Sequence, residues 1–212
     1  MKELFAADSP LQRVLGRLGD VMILNLLFLV TSLPLVTLGA SLTALNFAAL
    51  RLADDSPESA ADAYLRSFRR NLRQSFGLLA VVVGAIAVLV AWAVVIAQVD
   101  VGPLGGVVMW AVLVLLAMRL LAVLLFLFPY FATFEGSTRE VLGNARKMSA
   151  RHPLAVLGMG GVVLLPVAVT VTDPALAGYG LFWLLAGFSG IACINALLLR
   201  RVLARYTDTD RP

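Results

Sequence analysis

The feature that most constrains this chain is a hydrophobic stretch near its start, residues 21–52, which Pro34 and Gly39 interrupt in the middle. A proline ends or kinks a helix because it lacks an N–H and its ring clashes with the preceding turn, and a glycine lets the backbone turn. One crossing of the hydrocarbon core needs roughly 20 residues, so these 32 residues are too many for one span and too few for two full spans. We therefore predict a membrane hairpin of two short or tilted arms, or a re-entrant loop, with its hinge at Pro34, Thr37 and Gly39.

The remaining hydrophobic runs indicate that most of the chain lies in lipid. Hydrophobic residues make up 60% of the 212 residues and charged residues only 14%, whereas about a quarter of the residues in soluble domains are charged. Four further runs have spanning length, namely residues 76–97, 107–128, 153–171 and 181–199. These runs predict an all-α, polytopic helical membrane protein with about six membrane segments, forming a single membrane domain over residues 1–212.

Basic residues alternate along the connections between these runs. Residues 2–17, 51–74, 135–152 and 200–212 contain Lys or Arg, while the turns QVDVGPLG (98–105) and TDPALAGYG (172–180) contain none. By the positive-inside rule the basic segments face the cytoplasm, as do both termini. Residues 21–52 must then cross the membrane twice or not at all.

The basic segments are also amphipathic, which predicts helices at the membrane surface. We expect an interfacial helix over residues 1–20, cytoplasmic amphipathic helices over 53–75 and 135–152, helix pairs over 76–134 and 153–200, and a cytoplasmic tail over 201–212. Ser56 is the predicted start of the first cytoplasmic helix, which should lie in the headgroup layer and turn into the membrane at Phe76. Ser137 and Glu140 form the predicted capping box of the second. The basic face of the two helices consists of Arg66, Arg69, Arg70, Arg73, Arg139, Arg146, Lys147 and Arg151.

Four polar residues at membrane depth form a predicted intramembrane polar site: Arg119, Asn195, Asn25 and Asn46. Helix rise places Arg119 and Asn195 at a similar depth, roughly 21 Å from the outer turns, so we expect them to meet across the bundle. Asn25 and Asn46 are expected to bond each other or the carbonyls freed by Pro34. One interpretation is a ligand-contact site in the bundle interior. The other is structural: Arg119 extends its side chain toward the headgroups and the asparagines link helices.

The chain lacks the motifs of the common enzyme classes. It has no Walker loop, no GxSxG elbow and no HExxH pair, and it has one cysteine, Cys193, and one histidine, His152. We therefore expect no enzymatic activity, no cofactor and no metal site. The formal charge of +4 suits the lipid bilayer rather than nucleic acid as a partner, because the basic residues border the apolar runs.

Several short motifs resemble those of the YesL family, bacterial integral membrane proteins with a domain of unknown function (DUF624). The motifs are NLL (25–27), SLPLVTLGA (32–40), TAL (43–45), SFRRN (67–71), FPYFATF (128–134) and NA (144–145). The chain departs from the family pattern at Phe28, where a tryptophan is frequent, and at Asn46 and Phe47, where paired aromatic residues are common.

The resemblance implies a location in the bacterial cytoplasmic membrane and an accessory role in carbohydrate uptake, but it supplies no catalytic residue. Our first hypothesis is an interaction partner of a sugar ABC-transporter permease, which the hairpin, the spans and the basic helices would contact. The second is a small transporter or channel in its own right, in which Arg119 and the asparagines line a path within a monomer or a homo-oligomer. The third is a sensor of the membrane or lipid state that uses the basic helices as a switch.

Overall fold

The computed structural model describes residues 10–99, 101–134, 136–172 and 178–207, and the regular elements in these ranges are helical. The predicted interfacial helix over 1–20 and the predicted tail over 201–212 therefore lie partly outside the described residues. The elements are α1 Pro10–Ser32, a 3-10 turn Leu35–Thr37, α2 Leu38–Ala53, α3 Ala60–Gln98, α4 Gly102–Thr133, α5 Thr138–Arg151, α6 Pro153–Thr172, α7 Gly178–Phe182, a π-helical turn Trp183–Gly187 and α8 Phe188–Thr207.

Six helical segments in the described part of the chain are long and apolar enough to cross a membrane. They are Val14–Ser32, Leu35–Ala53, Ala60–Gln98, Gly102–Thr133, Pro153–Thr172 and Gly180–Arg200. The prediction of an all-α, polytopic helical membrane protein with about six membrane segments is confirmed.

Residues 21–52 form an antiparallel hairpin, with the turn at the predicted proline. The Thr37 hydroxyl donates to the carbonyls of Thr31 and Pro34, at 2.5 and 2.7 Å, and so fixes the turn between α1 and α2. At the other end of the hairpin, Arg17 of α1 forms an ion pair with Asp55, just beyond α2. The chain therefore returns to the end of the bundle from which α1 started, as an even number of crossings requires.

Gly39 has a different role from the predicted one. It lies in the first turn of α2 with a helical backbone, so the chain does not turn there. A Cβ atom at this position would lie 2.8 Å from the backbone oxygen of Ser75 on α3. The glycine is needed because the backbones of α2 and α3 approach closely, a contact that no local pattern reveals.

The predicted boundary at Phe76 is wrong, since α3 runs without interruption for 39 residues, roughly 58 Å. Its N-cap is Ser59, whose side chain accepts a hydrogen bond from the N–H of Asp62, and not Ser56. The first half of α3 packs on α2. Its buried residues recur every three or four positions and are Ala60, Ala63, Tyr64, Ser67, Asn71 and Ser75. The amphipathic pattern thus reflects contact with protein.

The second amphipathic segment forms a separate helix, α5, and its capping box is confirmed. Glu140 accepts a hydrogen bond from the N–H of Ser137 at 2.8 Å, and the Ser137 hydroxyl accepts one from the N–H of Glu140 at 3.4 Å. The pKa of the Glu140 carboxyl is held below its usual value, first by the bond from the Ser137 N–H and then by a bond that the Ser137 hydroxyl donates to the same carboxylate at 2.9 Å. The buried face of α5, which includes Val141, Ala145 and Met148, joins the core around Phe126.

Candidate functional site

Asn25 is completely buried on α1 and binds the widened turn that precedes α8. Its Nδ2 donates to the carbonyl oxygens of Trp183 and Leu184, at 2.9 and 2.7 Å. Its Oδ1 accepts from the backbone N–H groups of Phe188 and Ser189, at 3.0 and 3.1 Å. A π-helical turn disturbs the regular i to i−4 hydrogen bonding of a helix, and lipid offers no hydrogen bonds in return. The Asn25 carboxamide therefore bonds four backbone groups of this turn that lipid could not satisfy.

These contacts correct the predicted partners of Asn25. It bonds neither Asn46 nor the carbonyls near Pro34, because its partners lie more than 150 residues further along the chain. The π-helical turn has no periodicity of its own and was missed. Gly187 is its one local signal: a Cβ atom there would lie 2.6 Å from the Trp183 ring. That ring is held from the other side, since its Nε1 donates to Thr170 of α6 at 3.0 Å.

A cavity of about 330 Å³ lies beside this turn, bounded by α1, α2, α4, α6, the π-helical turn and α8. Of its sixteen lining residues all but two are apolar or aromatic. Phe28, Trp183 and Phe188 form an aromatic wall, with Phe188 5.2 Å from Phe28 and 5.0 Å from Trp183 between ring centroids. The two polar lining residues are Asn46 and Asn195. The cavity therefore combines an apolar interior with a small polar site.

Asn46 and Asn195 differ in how their polar atoms are satisfied. Asn46 donates to the carbonyl of Leu42 in its own helix, at 2.8 Å. Asn195 is only 7% exposed, and its Oδ1 is buried without a hydrogen-bond partner among the described residues. An orphan buried carbonyl oxygen is uncommon in native structures, and this one is shielded from the cavity as well as from the exterior.

The predicted contact between Arg119 and Asn195 is wrong. Arg119 instead donates to the hydroxyl of Ser149 at 3.0 Å and to the carbonyl of Arg146 at 2.8 Å, both on α5. The long side chain reaches the C-terminal part of α5, where the helix dipole favours a positive charge. Arg119 does not line the cavity, so the structure brings together only Asn46 and Asn195 of the four predicted polar residues.

The eight predicted basic-face residues are all exposed on α3 and α5. Arg66 pairs with Glu58 at 2.6 Å. Arg66 and Arg70, together with Arg51, also surround the ring of Phe47, with guanidinium carbons 5.2 to 5.9 Å from the ring centroid. This cation–π cluster was not predicted, because Phe47 lies on α2 and was considered only as part of an apolar arm.

Comparison with known families gives a match to the N-terminal part of the chain. Residues 21–91 match the family model described as "Protein of unknown function, DUF624". No curated protein and no solved structure matches the chain. The matched segment begins within α1, contains the hairpin and extends into the C-terminal part of α3. The resemblance to the YesL family is therefore confirmed, because residues 21–91 of this membrane protein match the DUF624 family model.

Proposed function

We propose that this protein is a non-enzymatic accessory subunit that binds the permease of a carbohydrate ABC-transport system in the bacterial cytoplasmic membrane, with both of its termini in the cytoplasm. The carbohydrate system is what the YesL resemblance implies. The observation that carries the interaction role is the exposed basic surface formed by the first half of α3 together with α5.

This surface is continuous because the two helices are joined. Gln74 of α3 donates to the carbonyl of Gly136, just before α5, at 2.6 Å. Arg73 and Arg139 lie close in sequence to the two ends of this bond. Of the eight basic-face residues, only Arg66 has a carboxylate partner in the described part of the chain. An uncompensated positive surface favours an acidic protein partner, and complementary charges give such a contact its specificity.

The cavity argues against the alternative of a sugar transporter in its own right. A sugar carries many hydroxyl groups, and each one costs free energy when it loses water without gaining a hydrogen bond. The cavity offers two asparagines, and Arg119 is bound to α5 instead of lining a path. An accessory role therefore fits the geometry better than sugar conduction.

The test is co-purification with identified permease subunits of the same organism. We expect the wild-type protein to retain a sugar permease and the variant Arg69→Gln/Arg73→Gln/Arg139→Gln/Lys147→Gln to lose it while still inserting in the membrane. Arg200→Gln is the matched control, because Arg200 lies outside the basic face, where it donates to the carbonyl of Ala53, and removing its charge should leave the complex intact.

Three results would contradict this proposal. The first is sugar flux into liposomes that contain the purified protein alone, which would favour the transporter. The second is equal permease recovery by the quadruple variant and the control. The third is that the basic surface binds vesicles of anionic lipid but no permease. If that lipid binding is lost when the salt concentration is raised, the result favours the lipid sensor.

A further inference from the structure

We propose that the ring of Phe47 and the three arginines around it form a binding site for the head group of a phospholipid that carries a phosphomonoester. These arginines are Arg51 of α2 and Arg66 and Arg70 of α3. The inference goes beyond the proposed accessory role and does not rest on it. The site shares two arginines with the basic face, but none of the four residues whose replacement should release the permease.

The three guanidinium groups converge on one aromatic ring. Their central carbons lie 5.2 Å (Arg51), 5.5 Å (Arg66) and 5.9 Å (Arg70) from the centroid of the Phe47 ring. The ring is half-buried on α2, while the three arginines are exposed. Because the face of an aromatic ring attracts cations, Phe47 holds side chains from two helices in one place. Arg66 and Arg70 reach it together, since residues four apart lie on the same face of a helix.

The cluster has a surplus of positive charge. Each guanidinium carbon lies within 5.9 Å of the ring centroid, so any two of them are at most twice that distance apart. Charges this close repel one another, because the screening length is about 10 Å at 0.1 M salt. Within the described ranges the one carboxylate paired with the cluster is that of Glu58, which bonds Arg66 at 2.6 Å. Two of the three positive charges are therefore left for an external anion.

The charge and the residue type favour a phosphomonoester as that anion. Such a group carries about −1.5 to −2 charges at pH 7 and three acceptor oxygens, which matches the surplus of the cluster. All three cations are arginines, whose planar guanidinium groups can bond two oxygens of one phosphate at once. Convergence of several arginines on one point is thus suited to phosphate, whereas a single carboxylate would compensate only one of the charges.

The position of the cluster favours a lipid as the source of the phosphate. Arg51 lies in the last turn of α2, and Phe47 lies one turn before it, near the end of the candidate span Leu35–Ala53. The span Gly180–Arg200 ends at the same level, since Arg200 donates to the carbonyl of Ala53 at 2.8 Å. Lipid head groups surround a membrane protein where its spans end, and basic residues at that level attract the anionic ones.

The test is native mass spectrometry of the purified full-length protein in detergent, which counts the lipids bound at each lipid concentration. Dioleoyl phosphatidic acid supplies the phosphomonoester. Dioleoyl phosphatidylmethanol is the matched ligand, because it has the same chains but a singly charged phosphodiester. We expect the Kd of phosphatidic acid to be lower by roughly fivefold or more, as the loss of about one charge-assisted hydrogen bond requires. Glycerol 3-phosphate, which has the head group without the chains, should bind more weakly than phosphatidic acid by about tenfold or more.

Three variants locate the site. Arg51→Gln/Arg70→Gln removes the two arginines that have no carboxylate partner among the described residues, and it should raise the Kd of phosphatidic acid by about tenfold or more. Arg69→Gln/Arg73→Gln is the matched control, because it removes two exposed arginines that do not surround the ring, and it should change the Kd by less than about twofold. Phe47→Leu keeps every charge but removes the ring, and it should raise the Kd roughly three- to fivefold.

Several results would overturn the proposal. Equal Kd values for phosphatidic acid and phosphatidylmethanol, or equal effects of the two double variants, would show that the cluster is only a part of a general positive surface. Binding of glycerol 3-phosphate as tight as that of the lipid would assign the site to a soluble phosphate compound. Displacement of bound phosphatidic acid by an equal concentration of hexaglutamate would assign it to an acidic protein segment. The comparison of ligands uses the wild-type protein and does not depend on the folding of any variant.

Discussion

Replacing Asn25 by leucine should destabilise the protein more than any other single change to its polar residues in the bundle. The substitution keeps the number and branching of the side-chain heavy atoms and removes a carboxamide that is completely buried. The four backbone groups that it serves, at Trp183, Leu184, Phe188 and Ser189, would then face an apolar side chain.

The size of the loss can be bounded from these four bonds. Hydrogen bonds between membrane helices contribute about 0.6 kcal/mol each on average, and a typical hydrogen bond in a protein about 1 kcal/mol. Four bonds therefore give a loss of about 2 to 4 kcal/mol in the free energy of unfolding. Conversion of the π-helical turn to a regular α-helix would restore some backbone bonds, but it would rotate Phe188 away from Phe28.

The assay is unfolding of the purified protein in mixed micelles by titration with SDS. Asn46→Leu is the matched control, because Asn46 makes a single bond to the carbonyl of Leu42 in its own helix, and its loss should stay below about 1 kcal/mol. Equal unfolding free energies for Asn25→Leu and Asn46→Leu would refute the assignment of Asn25 as the residue that stabilises the turn.

Three further predictions concern the helix contacts. Gly39→Ala places a Cβ atom 2.8 Å from the backbone oxygen of Ser75 and should lower the free energy of unfolding by about 1 to 3 kcal/mol in the same titration. Gly84→Ala, which has open space around it, should not destabilise the protein. Equal effects of the two changes would contradict the close contact of α2 and α3. Arg119→Leu removes both bonds to α5 and should speed hydrogen exchange in the last turn of that helix roughly threefold or more, and unchanged exchange would show that Arg119 does not hold it. Because the pKa of Glu140 is lowered, its stabilisation of the capping box is fully present above the ordinary pKa of the carboxyl and is lost as the pH falls through the lowered value. Hydrogen exchange in the first turn of α5 should therefore rise in acid relative to Glu140→Gln at the same pH. Identical exchange in the two proteins would exclude this role.

The sequence predicts well those features that depend on local composition. Runs of apolar residues locate the membrane segments because each crossing requires a minimum length, and the Ser137 and Glu140 pair locates the start of α5 because both partners lie within one turn. Features that depend on distant contacts were mispredicted. The charge of Arg119 could have been satisfied by polar groups on several helices at its depth. The packing of α5 on α4 determines that its partners are on α5. The buried face of α3 resembles a surface-bound helix for a similar reason, since an apolar stripe packs equally well on lipid or on α2.

The DUF624 match ends before the residues that complete the candidate site. The matched segment supplies Asn25 on α1 and Asn46 on α2, but the four backbone partners of Asn25, and also Asn195, belong to the last helices of the chain. An asparagine buried in an apolar hairpin is unfavourable unless its carboxamide is bonded, so the hairpin depends on the π-helical turn for its stability. The turn depends on the hairpin in the same way, because a widened helical turn in lipid has no water to satisfy it. This mutual dependence explains why the cavity lies at their junction: the turn that Asn25 stabilises is also the turn that directs Trp183 and Phe188 into the wall of the cavity.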